Sequence, residues 1–155
     1  VTVLHASMFT VECRIRTYLL LSQAPGTELS SSDIPMAVME TEEGLEKVDE
    51  IVNTNGIDAI YVGPNDLANA LGQRPTLDTE NDVVLRAFET IITACRNAGK
   101  PVGLHNGSAA YAVRMIEMGC QFVTVESDAG ILKNAATSIV AEIKGGAAKV
   151  DTSSY

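Results

Sequence analysis

A chain of 155 residues with 46% apolar and 20% charged residues has the make-up of one compact globular domain, not of a disordered segment. Its net charge is −9, from 20 acidic against 11 basic residues, which argues against nucleic acid or an anionic membrane as partner because phosphate neutralisation needs clustered Lys and Arg. No apolar run approaches the roughly 18 residues of a membrane span, and the stretch 14–21 is too short in its apolar core to read as a signal peptide.

Residues 1–33 have no regular pattern. Residues 1–9 suit a strand, 11–21 either a helix or a strand, and "SQAPGTELSSSD" is a loop rich in turn formers. From residue 34 a rhythm sets in. Residues 34–39 are a short apolar run suited to a strand. Residues 41–53 have helical spacing, with Leu45, Val48, Ile51 and Val52 on one face. Thr41 is the expected N-cap, and Glu42, Glu43 and Glu46 lie near the positive end of the helix dipole. Asn55-Gly56 stops that helix, and 57–62 is the second strand.

A short helix over 65–71 ends at Gly72, and a loop containing Pro75 leads to a long amphipathic helix over 80–98. Residues 101–104 form the third strand and 108–118 a helix closed by Gly119. Residues 121–126 form the fourth strand, 129–143 the last helix, and 146–155 a small, polar tail. Three cysteines, Cys13, Cys95 and Cys120, are an odd number without metal-like spacing. They are expected to be free thiols in a reducing compartment, the cytoplasm.

Four β-α units with nearly all-apolar strands call for a parallel sheet covered on both faces, with right-handed crossovers. Four units are half of a (β/α)8 barrel; a small doubly wound open sheet fits the same periodicity. Either fold puts its chemistry at the carboxyl ends of the strands. Those ends read Glu40, then Gly63-Pro64-Asn65-Asp66, then His105-Asn106-Gly107, then Glu126-Ser127-Asp128.

If the first two strands are neighbours, Glu40 and Asp66 overhang one rim from backbones about 5 Å apart. Two such carboxylates repel unless one is protonated, a base pairs with them or a cation bridges them. No Lys or Arg occurs from residue 48 to 73, so local pairing is not offered. A hard divalent cation with open positions for water and substrate oxygens fits. The competing reading makes both acids helix caps, Glu40 for the helix near Thr41 and Asp66 for the one after Pro64.

"PMAVMETEEGLEKVDEIVNTNGIDAIYVGPNDLANALG" closely resembles the HpcH/HpaI aldolase family of class II pyruvate aldolases, related to the citrate lyase β subunit. The family pattern is a strand ending in I/M-E-T/S, a helix, then G-[IV]-D-[AG]-[IV]-x-[IV]-G-P-x-D-L-[AS]-x-x-[LM]-G. "AGKPVGLHNGS" and "GCQFVTVESDAGILKNAA" resemble its next two strands and last helix. The resemblance covers residues 34–145 and implies a partial TIM-type (β/α)8 barrel of about four C-terminal βα units, with 1–33 unmatched and 146–155 a tail. It implies that Glu40 and Asp66 hold a divalent metal (Mg²⁺, Mn²⁺ or Co²⁺). It also implies that Gly63, Pro64 and Asn65 bind the carboxylate of pyruvate or another 2-oxo acid. The metal would chelate the 2-oxo and carboxylate oxygens and act as Lewis acid in cleaving a 4-hydroxy-2-oxo acid to pyruvate and an aldehyde.

The family also uses a histidine base and an arginine from the first half of the barrel. His5, Arg14 and Arg16 lie in the unmatched segment, so neither role is carried onto them. Val38 stands where the family often has Gln. His105 is the substitute candidate for general base; the plainer reading is a structural histidine bonded to a neighbouring loop. Asp128 is expected to be a helix N-cap and Glu126 a solvated or packing acid, while Ser127 and Asn106 carry no distinct signal.

Half a barrel leaves sheet edges open. The resemblance implies homo-oligomers in which the last helix, 129–143, meets a neighbouring subunit. Three readings remain: a metal-dependent aldolase; a catalytically incomplete protein that keeps the metal and 2-oxo-acid site for binding or assembly; and a lyase acting on a CoA ester, whose phosphates would want a basic patch that this acidic chain lacks.

Overall fold

The computed structural model describes residues 2–3 and 34–145. His5, Cys13, Arg14, Arg16 and the tail 146–155 lie outside the described residues. One parallel sheet has the order β1-β5-β4-β3-β2, with β1 (Thr2–Val3), β2 (Met36–Met39), β3 (Ala59–Val62), β4 (Val102–Asn106) and β5 (Phe122–Val125). Between and after the strands run α1 (Glu42–Glu46), α2 (Val48–Val52), α3 (Pro64–Ala70), α4 (Asp82–Asn97), α5 (Ala109–Met118) and α6 (Asp128–Ile143). From β2 onward the chain repeats strand and helix with each strand beside its predecessor, the order of a partial TIM-type (β/α)8 barrel.

Two departures from the sequence pattern have local causes. The helix expected over 41–53 is two pieces divided at Lys47 (φ −104°, ψ 18°). The first piece buries none of its residues and hangs on the Thr41 cap, whose hydroxyl accepts from Gly44 N–H at 3.0 Å. The second buries Val48, Ile51 and Val52, so packing holds it. The third strand runs on to Asn106, so His105 lies within β4 and not beyond it.

The two faces of the sheet differ in kind. On one face Met39, Ile60, Val62, Val102, Leu104 and Val123 form a core with the helices. Helix α4 supplies Val84, Phe88, Ile91, Ile92 and Cys95, the i, i+4, i+7, i+8, i+11 stripe of a helix lying on a sheet. Asn81 caps it by accepting from Val83 and Val84 N–H. Cys95 and Cys120 are free and buried, and burial pushes their thiols up to about 11 and about 12, so both stay protonated.

On the other face the register aligns Val38, Tyr61, Gly103 and Phe122 across four strands. The Tyr61 and Phe122 rings stack at 5.7 Å between centroids and 12° between planes, passing over Gly103. A Cβ on Gly103 would stand 2.1 to 2.3 Å from the Phe122 ring, so the missing side chain is what lets the rings meet. Gly103→Ala is expected to destabilise the protein by about 1–3 kcal/mol through overpacking, lowering the urea midpoint at unchanged slope. Adding Phe122→Leu should restore part of the loss; an unchanged midpoint in Gly103→Ala would show that Phe122 yields without cost.

Candidate functional site

The rim is built where β2 and β3 end. Met39 pairs with Val62, and Gly63 N–H donates to Met39 C=O at 3.2 Å, so the ladder reaches the first residue past each strand. Alternation then turns Glu40 and Gly63 to the same face as Val38 and Tyr61. Glu40 is half-buried and its side chain lies over Gly63: a Cβ there would stand 2.7 Å from Glu40 Oε1 and 2.8 Å from Cγ. Gly63 thus makes room for the glutamate of the neighbouring strand.

Neither carboxylate stands at an N-cap position. Thr41, not Glu40, is the N-cap of α1, and Gly63, not Asp66, is the N-cap of α3, which makes no side-chain cap hydrogen bond. Pro64 takes the first position of α3, where its missing N–H costs nothing. Asp66 follows in the first turn and is exposed. Between them Asn65 Oδ1 is buried and has no hydrogen-bond partner among the described residues. These donors are all oxygens, and among the described residues no group of three or more His, Cys, Asp or Glu could hold a metal. The set fits a hard divalent ion whose remaining positions go to water and ligand oxygens, and does not fit a closed zinc site.

The next strand brings His105 to the same level, paired with Thr124 of β5. Its Nδ1 stands 2.6 Å from Thr124 Oγ1, so its bond goes to a strand and not to a loop. Burial pushes the imidazole below its ordinary range, and the Asp78 charge partly offsets this. Asp78 itself accepts from Gly107 N–H at 2.7 Å, fastening the α3–α4 loop to the end of β4. Tyr111 O–H, donating to Thr79 C=O at 2.6 Å, adds a second tie.

At the last strand end Ser127, not Asp128, caps α6, accepting from Gly130 N–H at 3.1 Å; the Asp128 carboxylate accepts from Ala129 N–H. Glu126 is not solvated. It is buried at φ 55°, and a Cβ on Gly130 would stand 2.1 Å from its Oε2. Asn106, which carried no distinct signal, is fully buried and its Nδ2 donates to Leu104 and Thr124 C=O, tying β4 to β5. Tyr61 and Thr124 have no local signal in the sequence that would single them out. They lie 63 residues apart, and only the strand pairing brings their hydroxyls together.

A family model described as HpcH/HpaI aldolase/citrate lyase matches residues 8–135, so it reaches into the segment 1–33 that the motif resemblance leaves out. The chain belongs to that family. A hydroxypyruvate/pyruvate aldolase of Rhizorhabdus wittichii is 36% identical over 117 residues, 76% of this chain and 47% of that protein. A 5-keto-4-deoxy-D-glucarate aldolase of Klebsiella pneumoniae is 34% identical over 116 residues, 74% of this chain and 44% of that one. The crystal structure of an HpcH/HpaI aldolase/citrate lyase family protein from Burkholderia cenocepacia superposes with a TM-score of 0.67 at 31% identity, covering 72% of this chain and 42% of its own. The chain spans about half the length of the curated relatives it matches.

The lowered His105 value sets a pH dependence. Unfolded, the imidazole has its ordinary value of 6.5, so below that pH the unfolded chain takes up a proton before the folded one does. Stability linked to His105 is therefore complete above 6.5 and lost as pH falls through the lowered native value. Urea titrations at about pH 7.5 and pH 5.5 should show wild type losing more stability than His105→Gln. Equal losses would show that His105 titrates as it does in the unfolded chain.

Proposed function

We propose that this chain carries the metal- and 2-oxo-acid-binding side of a class II aldolase that cleaves a 4-hydroxy-2-oxo acid to pyruvate and an aldehyde. The observation that supports it is the use of the two carboxylates: Glu40 leans over Gly63 toward the helix start that carries Asp66, while Thr41 and Gly63 occupy the cap positions. Residence at the N-cap position therefore does not account for either acid. The names of the R. wittichii and K. pneumoniae relatives point to the same reaction class.

Glu40 and Asp66 would hold Mg²⁺ or Mn²⁺, with Co²⁺ as a third fit for an oxygen donor set. When bound, such an ion supplies Lewis-acid chemistry, stabilising negative charge that builds on the 2-oxo oxygen as the carbon–carbon bond breaks. The chain's own part is placement. The Gly63-Pro64-Asn65 turn receives the substrate carboxylate, and buried Asn65 Oδ1 is an acceptor for a ligand donor or an ordered water.

Titration calorimetry with Mg²⁺ or Mn²⁺, then with pyruvate, tests this reading. Glu40→Ala and Asp66→Ala should each weaken metal binding by roughly 10- to 100-fold or more, with circular dichroism unchanged. Metal-dependent pyruvate release should fall with it. Unaltered metal affinity in both variants would sink the assignment.

We infer also a homo-oligomer formed through α6. This helix buries only Gly130, while Leu132, Ile139 and Ile143 are 72%, 58% and 80% exposed and repeat at i, i+7, i+11 along one face. Burying each would contribute about 1.5–3 kcal/mol, enough to drive association. Light scattering after size exclusion should give more than one copy for wild type and one for Leu132→Glu/Ile139→Glu. A monomeric wild type would refute the interface.

A further inference from the structure

The inward face carries a polar chain that the carboxylate site does not use. Tyr61, Gly103 and Phe122 make one row, and His105 and Thr124 make the next row toward the rim. The Phe122 ring fills the space over bare Gly103, and the Tyr61 ring stacked on it sets its hydroxyl 2.5 Å from Thr124 Oγ1 on β5. That same oxygen is 2.6 Å from His105 Nδ1. Tyr61 and Thr124 are buried, so water does not compete for these contacts.

Thr124 Oγ1 could accept from both neighbours, but it is buried and among the described residues its only hydrogen-bond partners are Tyr61 Oη and His105 Nδ1, so its own hydrogen must go to one of these two and it accepts from the other. In one order Tyr61 donates to Thr124, Thr124 donates to His105 Nδ1, and the ring hydrogen sits on Nε2. In the other, Nδ1–H donates to Thr124, Thr124 donates to Tyr61, and Nε2 carries a lone pair. The first makes His105 a donor toward solvent or ligand; the second makes it a base. A phenol is a stronger donor and a weaker acceptor than an aliphatic alcohol, and burial keeps the Tyr61 hydroxyl protonated. Both facts select the first order. The imidazole is neutral for the same reason, since burial disfavours its charged form.

Among the described residues no hydrogen bond reaches Nε2. The ring sits half-buried in the row nearest the rim, one strand from Gly63 and the Glu40 carboxylate above it. We propose that Tyr61 and Thr124 fix His105 as its Nε2–H tautomer, and that this N–H donates to an oxygen of the 2-oxo acid held at the neighbouring strand end. The assignment rests on the functional reading above for its ligand, and on the Tyr61–Thr124–His105 geometry alone for its tautomer. His105 would touch substrate, and Tyr61 and Thr124 are positioning residues. The donor offsets negative charge on that oxygen; it takes no proton.

Long-range ¹H–¹⁵N correlation spectra of the full chain labelled at histidine nitrogen test the tautomer, with His105→Gln assigning the signal. The expected pattern near neutral pH is a hydrogen on Nε2 and an acceptor Nδ1; Tyr61→Phe and Thr124→Val should each disturb it. Addition of pyruvate with saturating Mg²⁺ should move the Nε2–H resonance. By calorimetry, pyruvate affinity should fall by about tenfold in His105→Ala, the loss expected for one neutral hydrogen bond. It should stay near wild type in His105→Gln, whose amide places a donor near Nε2 but is no base. An Nδ1–H tautomer, or pyruvate bound with the Nε2–H signal unmoved, overturns the proposal and leaves the carboxylate site standing. Failure of wild type to bind pyruvate at all overturns both.

Discussion

The in-register parallel pairing of β2 with β3 is the constraint on which the site depends. Met39 lies opposite Val62, and the ladder extends to Gly63 N–H. Because side chains alternate, that single register sends Met39 and Val62 into the helix-side core and turns Glu40 and Gly63 inward together. A slip of one residue would drive the Glu40 carboxylate into the apolar layer beneath the helices, where an unpaired charge costs far more than one strand pairing supplies. The core thus fixes the place of the acid, although the acid adds nothing to the core.

A similar device operates twice on the inward face. Gly103 leaves a gap that the Phe122 ring fills, where it meets Tyr61, and Gly63 leaves one over which Glu40 lies. In both rows a glycine on a central strand or at its end lets a side chain from the neighbouring strand cross the sheet laterally. The helix-facing side has no such gaps, and its stability comes from area: each fully buried Leu, Ile, Val or Phe contributes about 1.5–3 kcal/mol. A hydrogen bond on the inward face contributes about 0.5–1.5 kcal/mol net. Because apolar burial on the helix side supplies most of the stability, the inward face is free to carry polar groups in an order set by chemistry.

What the sequence made legible follows from range. Strand β3 and helix α4 declare themselves by local periodicity, and Thr41 and Gly119 by cap chemistry, so their positions could be read within a residue or two. The position of Glu40 and Asp66 just past two neighbouring strand ends was legible because the apolar runs before them mark those ends. Contacts across strands were not. Nothing near Tyr61 announces Thr124, and nothing near His105 distinguishes a strand interior from the residue after it. The cap expected at Asp128 falls on Ser127 because both are good caps, and the choice depends on which one has extended backbone angles. The exposure of α6 was invisible to periodicity, since its apolar stripe looks the same whether or not anything in the chain covers it.

Two kinds of oxygen chemistry therefore meet at this rim, with different degrees of preorganisation. Glu40 is held by the strand register and the gap at Gly63, whereas Asp66 is exposed on a seven-residue helix whose start makes no side-chain cap bond. A divalent ion would gain most of its placement from Glu40 and would order Asp66 as it binds. His105 belongs to the rigid part, since its ring is fixed through Thr124 to a buried phenol stacked on Phe122. In the proposed reading, an ion held by the two carboxylates would supply the positive charge that an anionic 2-oxo acid needs, and the imidazole N–H would add one donor beside it. In the proposed tautomer, with the lone pair of Nδ1 engaged by Thr124 and the hydrogen on Nε2, that imidazole would have no free basic nitrogen, and the proton moved in the proposed aldol cleavage would be taken by another group.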